Sequence, residues 1–352
     1  VAITDVESLL FFIFAALTKT AMKKLILLCL ILVAGCTSTK EMKSIGSIEK
    51  LDESLSEIID ANAKIEILGE GYTWSEGPIW IPSEKMLLFS DVPENKIYKW
   101  TEDNGVELYL TPSGFTGKDY PSTEPGSNGL TLDRDGKLVL CQHGDRRVAR
   151  MDAPYNSPTA TFTTLVDQYN GKKLNSPNDA VFRSNGDLFF TDPPYGLPGR
   201  EVDSVYKEQA FNGVYKVSTD GKVTLLVDSI SRPNGIALTP DEKTLIVANS
   251  DPANAVWYAF DIDANDSLSN ARILFDATAE TKTSKGLPDG FKIDKKGNIF
   301  ASGPGGVWIF NATGKVIGKI KLPEATANTA LADGDKTLYI TSDMYLLRVK
   351  LR

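Results

Sequence analysis

Six short apolar runs punctuate the chain: Met86-Leu87-Leu88-Phe89, Leu138-Val139-Leu140, Leu188-Phe189-Phe190, Leu245-Ile246-Val247, Ile299-Phe300-Ala301 and Leu338-Tyr339-Ile340. Each is too short for a helix, and no helical period links them, so they read as strands. A polar turn precedes each run, as in Arg134-Asp135-Gly136-Lys137, Ser184-Asn185-Gly186-Asp187 and Lys295-Lys296-Gly297-Asn298. Before each turn stands one recurring segment, which begins at Glu76, Asn128, Asn178, Asn234, Asp289 and Asn328 with spacings of 52, 50, 56, 55 and 39 residues. A repeat of this length, built of short strands and Asp-Gly, Asn-Gly and Lys-Gly turns, matches the four-stranded blade of a β-propeller. Six starts predict an all-β, six-bladed β-propeller. A β-sandwich has no reason to repeat one signature six times, and a seventh blade would need a start that is not found.

The first blade reads as Pro78–Ile81, Met86–Val92, Lys96–Thr101 and Val106–Thr111. After Asn328 there is room for only three strands, ending in Tyr345–Leu351, so the fourth strand of the last blade is expected from the N-terminal side, at Ala63–Leu68. Closing the ring with both ends of the chain removes an exposed strand edge.

In a propeller the first strand of each blade lines the central channel, so residues of equal phase ring the axis at one height. Here those residues are Glu76, Asn128, Asn178, Asn234, Asp289 and Asn328, every one with a side-chain oxygen. Two carboxylates and four amides form a hard-oxygen set suited to Ca²⁺, and the lack of thiolate and imidazole argues against zinc or copper. Asn-Gly and Asp-Gly are also common turn pairs, and that reading stays open for some of the six. Asn328, with no Gly after it, is the weakest member.

Strand alternation places Gln142-His143-Gly144, Asp192-Pro193-Pro194-Tyr195-Gly196 and the long stretch Leu197–Asn212, a candidate lid, around the same mouth. His143 is the only histidine, which excludes His–His dyads, HExxH sites and multi-histidine zinc cages within one chain. At the mouth it reads as a substrate hydrogen-bond partner, a proton shuttle or a polar loop residue. There is no Gly-x-Ser-x-Gly elbow, and Cys141 ends an apolar strand as a buried small hydrophobe. A net charge of −8 gives no general attraction to phosphate backbones, so nucleic acid is excluded as an expected partner.

The N-terminal segment reads as an address. From Met22, the pair Lys23-Lys24, the apolar core Leu25–Leu32 and Val33-Ala34-Gly35-Cys36 resemble a bacterial lipoprotein signal, with Val1–Ala21 as an upstream segment. The expected organisation is 1–35 upstream segment and signal, 36–60 flexible tether, and 61–352 propeller. The expected location is export to the bacterial cell envelope, with membrane attachment only through a lipidated Cys36.

Ser75-Glu76-Gly77-Pro78-Ile79-Trp80, Ser176-Pro177-Asn178-Asp179, Arg232-Pro233-Asn234-Gly235 and Leu287-Pro288-Asp289-Gly290 resemble the signature segments of the gluconolactonase, regucalcin and luciferin-regenerating enzyme family. Cys141-Gln142-His143-Gly144, Thr191-Asp192-Pro193-Pro194-Tyr195-Gly196 and Gly303-Pro304-Gly305-Gly306-Val307-Trp308 resemble its bacterial gluconolactonase-like branch. The resemblance implies hydrolysis of a sugar lactone with one divalent cation, usually Ca²⁺, with Mn²⁺ or Zn²⁺ as alternatives. Its metal ligands fall on Glu76, Asn178, Asn234 and Asp289, and Asp289 is the implied catalytic base. The animal branch has an arginine where Ser176 stands, so the substrate contacts do not transfer. Asn128, His143, Tyr195 and Asp179 are the candidates in their place. A small-molecule lactone is the expected partner, and a monomer or weak dimer the expected state. Two other functions are compatible with the same oxygen floor: a calcium-dependent phosphotriesterase or arylesterase, and a non-catalytic cell-surface binding propeller with a structural ion.

Overall fold

The computed structural model describes residues 42–199, 205–263 and 266–352, and the folded body is Lys43–Arg352. Met22 and Cys36 lie outside the described residues. Each apolar run is the second strand of an antiparallel sheet, and six such sheets form a ring. The first strands are Ser75–Ile81, Ser127–Leu132, Ala180–Phe182, Pro233–Leu238, Phe291–Ile293 and Asn328–Ala332, in blades 1 to 6. Each meets the next around the axis, and the sixth meets the first.

The second strands read as unbroken apolar runs because both faces of each blade are buried. Side chains alternate between the two neighbouring interfaces. In blade 1, Met86 and Leu88 pack against Leu130, Leu138 and Leu140 of blade 2, while Leu87 and Phe89 pack against Ala330 and Tyr339 of blade 6. The core is therefore six wedges, one between each pair of neighbours. A fully buried Leu or Phe in such a wedge contributes about 1.5–3 kcal/mol.

Blade 6 closes as the pattern predicts. Its chain-end strands Asn328–Ala332, Thr337–Ser342 and Tyr345–Lys350 are joined by Ile65–Glu70, which pairs antiparallel with the last, Ile65 opposite Val349 and Glu66 opposite Arg348. Arg348 adds a 2.7 Å hydrogen bond from Nε to Glu66 Oε2 across this seam.

The expected tether requires correction. Residues 43–60 belong to the folded body. Ser47–Lys50 adds a fifth strand to blade 5, pairing with Val316–Lys321. A short 3₁₀ turn, Glu53–Glu57, then buries Leu55, and Ile59 follows, both in the wedge between blades 5 and 6. Charged residues facing solvent mask a segment whose isoleucines and Leu55 are used in packing while Leu51 stays exposed, so its composition imitates a linker.

Candidate functional site

The Gly after the site residue in several repeats is required by packing around the axis. A Cβ on Gly129 would lie 2.6 Å from Asn178 O, one on Gly235 2.3 Å from Asp289 O, and one on Gly290 1.9 Å from Asn328 Cγ. First strands can approach this closely only without side chains at that step. Blade 3 departs from the rule: Asp179 takes the glycine position and puts a buried carboxylate into the channel.

Glu76, Asn128, Asn178, Asn234 and Asp289 come together as sequence phase predicts. They line one cavity of about 370 Å³ with Tyr195, Trp74, Glu124, Ser250, Leu287 and Thr326. Asn328 is buried below it, with Nδ2 3.5 Å from both Glu76 Oε2 and Asp179 Oδ2. The expected substrate contacts divide. Asn128 and Tyr195 reach the cavity, whereas Asp179 and His143 do not.

Asp179 forms a channel floor, its Oδ1 accepting from Ala180 N at 2.9 Å and its Oδ2 3.8 Å from Lys292 Nζ. His143 is fully buried behind Glu124, its Nδ1 3.8 Å from Glu124 Oε2. The chain at Gly196 passes directly over it, where a Cβ would come within 2.5 Å of His143 Cβ. The loop after Tyr195 thus covers the imidazole that sequence alone places at the surface. The candidate lid Leu197–Asn212 falls partly outside the described residues. Its Gln209 is buried, donating to Tyr169 O and Lys172 O at 3.0 and 2.9 Å.

The mouth is electrostatically unbalanced. Glu76 Oε2 accepts from Gly77 N at 2.7 Å and Asp289 Oδ1 from Gly290 N at 3.0 Å. Among the described residues, neither carboxylate forms an ion pair. Burial, with some help from the negative charge of Asp179, pushes Glu76 up to about 8. Burial and then the charge of Glu76 hold Asp289 well above the usual carboxylate range. The Oδ1 atoms of Asn128 and Asn178 are buried with no hydrogen-bond partner. Buried amide oxygens are ordinarily paired, so these orphans leave room for a donor or a cation.

Asn234 is held in place by the second strand of its own blade. Ser250 Oγ donates its one proton to Pro288 O in a short hydrogen bond, so it must accept from Asn234 Nδ2, at 3.0 Å. This fixes the amide nitrogen toward Ser250, and the same side chain hydrogen-bonds the Asp289 carboxylate, opposing part of its upward shift. Ser250 therefore links the Asn234 side chain to the backbone immediately before Asp289. The set fits a hard divalent cation: two acids without a counter-charge and neutral amide oxygens without donors. No group of three or more His, Cys, Asp and Glu with metal-site geometry occurs among the described residues; the oxygen set here is completed by amides.

Sequence reasoning puts the connector Pro112–Ser127 and the turn Asn249-Ser250-Asp251 around the mouth without singling out Glu124 or Ser250, and it missed Lys292. A Ser or Thr recurs near the end of the second strand at Ser90, Thr191, Ser250, Ser302 and Thr341, and that signal could have found Ser250. Several of these hydroxyls reach the next blade's first strand, Ser90 to Asn128 O at 2.9 Å and Thr191 to Asn234 O at 2.6 Å. A second device pins the connectors ahead of the site. Asp91 accepts from Trp74 N at 3.1 Å, Asp192 from Asn175 N at 2.7 Å and Asn249 from Arg232 N at 2.9 Å.

The chain is similar to a gluconolactonase of Zymomonas mobilis, at 39% identity over 316 residues, covering 88% of this chain and 87% of that one. It is also similar to a pentonolactonase of Haloferax volcanii, at 24% identity over 76% of this chain and 80% of the other. The solved gluconolactonase XC5397 of Xanthomonas campestris superposes with a TM-score of 0.74 at 29% identity, over 88% of this chain and 98% of that chain. The fold is shared with a regucalcin from Agrobacterium tumefaciens, described as a calcium-binding protein, with a TM-score of 0.61 at 19% identity over 81% and 93% of the two chains. Fold, cup and relatives define a β-propeller carboxylic ester hydrolase of the lactonase class. The profile described as SMP-30/Gluconolactonase/LRE-like region matches residues 74–344, and the chain belongs to that family.

Proposed function

We propose that the protein opens a gluconolactone-like sugar lactone with one divalent cation, Ca²⁺ before Mn²⁺ or Zn²⁺, held by Glu76, Asn178, Asn234 and Asp289. The observation that carries this reading is the pair of acids without a counter-charge, set among amide oxygens without donors. Similarity to enzymes named gluconolactonase and pentonolactonase supports the substrate class. The regucalcin relative, described as calcium-binding, supports the ion.

A divalent cation held in the cup supplies Lewis acidity toward a lactone carbonyl and charge stabilisation for the oxyanion. The chain's own residues do the rest. Glu76 and Asp289 supply two negative charges, and Ser250 holds the Asn234 side chain through its amide nitrogen. Asn128 and Tyr195, which line the cavity outside the four-residue set, face sugar hydroxyls. Trp74 and Leu287 give the wall an apolar surface against which a sugar ring can lie. Asp289 is the base implied by family resemblance, but a carboxylate engaged with a cation is a weak base. Export and anchoring through Cys36 form part of the same proposal, supported by the Met22–Cys36 pattern.

The test is glucono-δ-lactone hydrolysis followed with a pH indicator, after chelation and then resupply of Ca²⁺, Mn²⁺ or Zn²⁺, beside Asp289→Ala. Turnover that returns with metal and is lost by about 10³-fold or more in the variant is expected. A folded protein that hydrolyses no lactone with any of these metals overturns the reading.

A further inference from the structure

The reaction needs a proton acceptor for water, and the cavity wall offers one outside the cup. Among the described residues that line the cavity, the ionisable side chains are Glu76, Asp289, Tyr195 and Glu124. The first two are the proposed cation ligands, and ligation lowers their basicity. Tyr195 offers a phenolic hydroxyl, a hydrogen-bond partner and not a carboxylate base. Glu124 is different: it comes from the connector between blades 1 and 2, not from a first strand, and its side chain is 21% exposed.

That connector is tightly held. Asn95 Oδ1 accepts from Ser113 N and Gly114 N at 3.0 and 2.7 Å, and Gln142 Nε2 donates to Ser113 O at 2.7 Å. Immediately after Glu124, His143 N donates to Gly126 O at 3.1 Å and Gly144 N to Pro125 O at 3.2 Å. The same two residues that clamp the backbone bring the His143 ring behind the carboxylate, 3.8 Å from Nδ1 to Oε2. The only imidazole of the chain is thus a buried backing for the one wall carboxylate, with no access of its own to the cavity.

We propose that Glu124 is the general base of the reaction and that His143 is its positioning residue. This rests on the lactonase reading above. One water O–H bond breaks, its proton passes to a Glu124 oxygen, and the water oxygen forms a bond to the lactone carbonyl carbon. The ring C–O bond then breaks, and the departing ring oxygen takes the proton back from Glu124. The product is the open hydroxy acid and Glu124 is again ionised, so lactone and water are consumed one for one. Cation binding and proton transfer are divided between different carboxylates, and each keeps the charge state its task needs.

The experiment compares the full chain with Glu124→Gln, Glu124→Ala and His143→Asn, with Ca²⁺ supplied. Glu124→Gln should lower kcat by about 10²–10⁴-fold, with KM, Ca²⁺ affinity by calorimetry and thermal midpoint close to wild type. Added formate should restore part of the lost rate to Glu124→Ala, where space is left for it, and none to Glu124→Gln. His143→Asn should show a smaller loss in kcat at unchanged Ca²⁺ affinity. Should the alanine variant melt early, Glu124→Asp, which keeps the acid but shortens its reach, decides through its own kcat loss. Wild-type kcat in Glu124→Gln, an effect confined to KM, or no rescue of a folded Glu124→Ala overturns the proposal while leaving the lactonase reading intact. A wild-type protein with no lactone turnover overturns both.

Discussion

Two acidic layers lie on the same axis. At the mouth, Glu76 and Asp289 have no ion-pair partner among the described residues. On the floor, Asp179 has Lys292 Nζ 3.8 Å away, and the same ammonium donates to Asn328 Oδ1 at 3.3 Å. Burial raises all three acids, but Lys292 is the largest opposing influence on Asp179, whereas it comes last among those on Glu76. The floor is neutralised from within the chain. The mouth has no such partner among the described residues, and its orphaned amide oxygens suit the cation proposed for it. Buried acid therefore has two uses in this fold, and in blade 3 the mouth position is the amide Asn178 while the residue after it, Asp179, supplies the floor acid.

The largest expected consequence is in pH. Glu76 is raised from an ordinary 4.5 to about 8 in the folded state. The folded protein then holds a proton that the unfolded chain has released, so this contribution is complete below pH 4.5 and lost as pH rises through about 8. Chelated protein should lose several kcal/mol of stability between about pH 5 and pH 8, because each tenfold difference in proton affinity between the folded and unfolded chain is worth about 1.4 kcal/mol. Added Ca²⁺ should flatten that slope, because it binds the ionised pair and protons compete with it. Urea midpoints across this range, with and without Ca²⁺, measure both. A chelated protein whose stability is flat or rises toward high pH would show that the mouth acids are already compensated.

Next comes the floor. Lys292→Met leaves Asp179 buried and unpaired, with an expected loss of about 3 kcal/mol near neutral pH by denaturant titration. In an Asp179→Asn background the same substitution should cost much less, because no buried charge is left without its partner. Equal losses in the two backgrounds would mean that Lys292 acts by packing and that the floor is no ion pair.

The smallest effect tests orientation. Ser250→Ala removes the acceptor that holds Asn234 Nδ2, and Ca²⁺ affinity by calorimetry should fall about 10-fold for roughly 1 kcal/mol of stability. Ser90→Ala removes a comparable bond to Asn128 O in the next blade. It should cost similar stability and leave Ca²⁺ affinity alone, since Asn128 is outside the ligand set. Matched affinity losses in the two variants would place both hydroxyls in general ring packing.

The six starts, the ring closure by Ile65–Glu70 and the convergence of Glu76, Asn128, Asn178, Asn234 and Asp289 were legible because they depend on phase. A repeat with period-2 strands sends residues of equal register to equal heights, whatever surrounds them. The folded role of Ser47–Lys50 and Leu55 was not legible, since a strand that adds to the outside of a finished blade needs few apolar positions. His143 and Asp179 were misplaced for a related reason. Sequence puts them next to mouth residues, but whether a side chain faces the cavity depends on Gly196 passing over one and on the missing glycine in blade 3 at the other.

Sequence by itself determined the blade count, the alternation that feeds six wedges and the oxygen-bearing ring, because these are periodic and local. Tertiary structure alone decided which acids are neutralised. Lys292 is more than 100 residues from Asp179 in the chain, and Ser250, which pairs with Asn234 inside blade 4, reaches Pro288 only because blade 5 stands beside it. It also decided that Glu124 and His143 form a unit, through backbone bonds that clamp one connector against the turn of the neighbouring strand pair. Charge compensation depends on distance through space, and spacing along a sequence carries no record of it until the ring is closed.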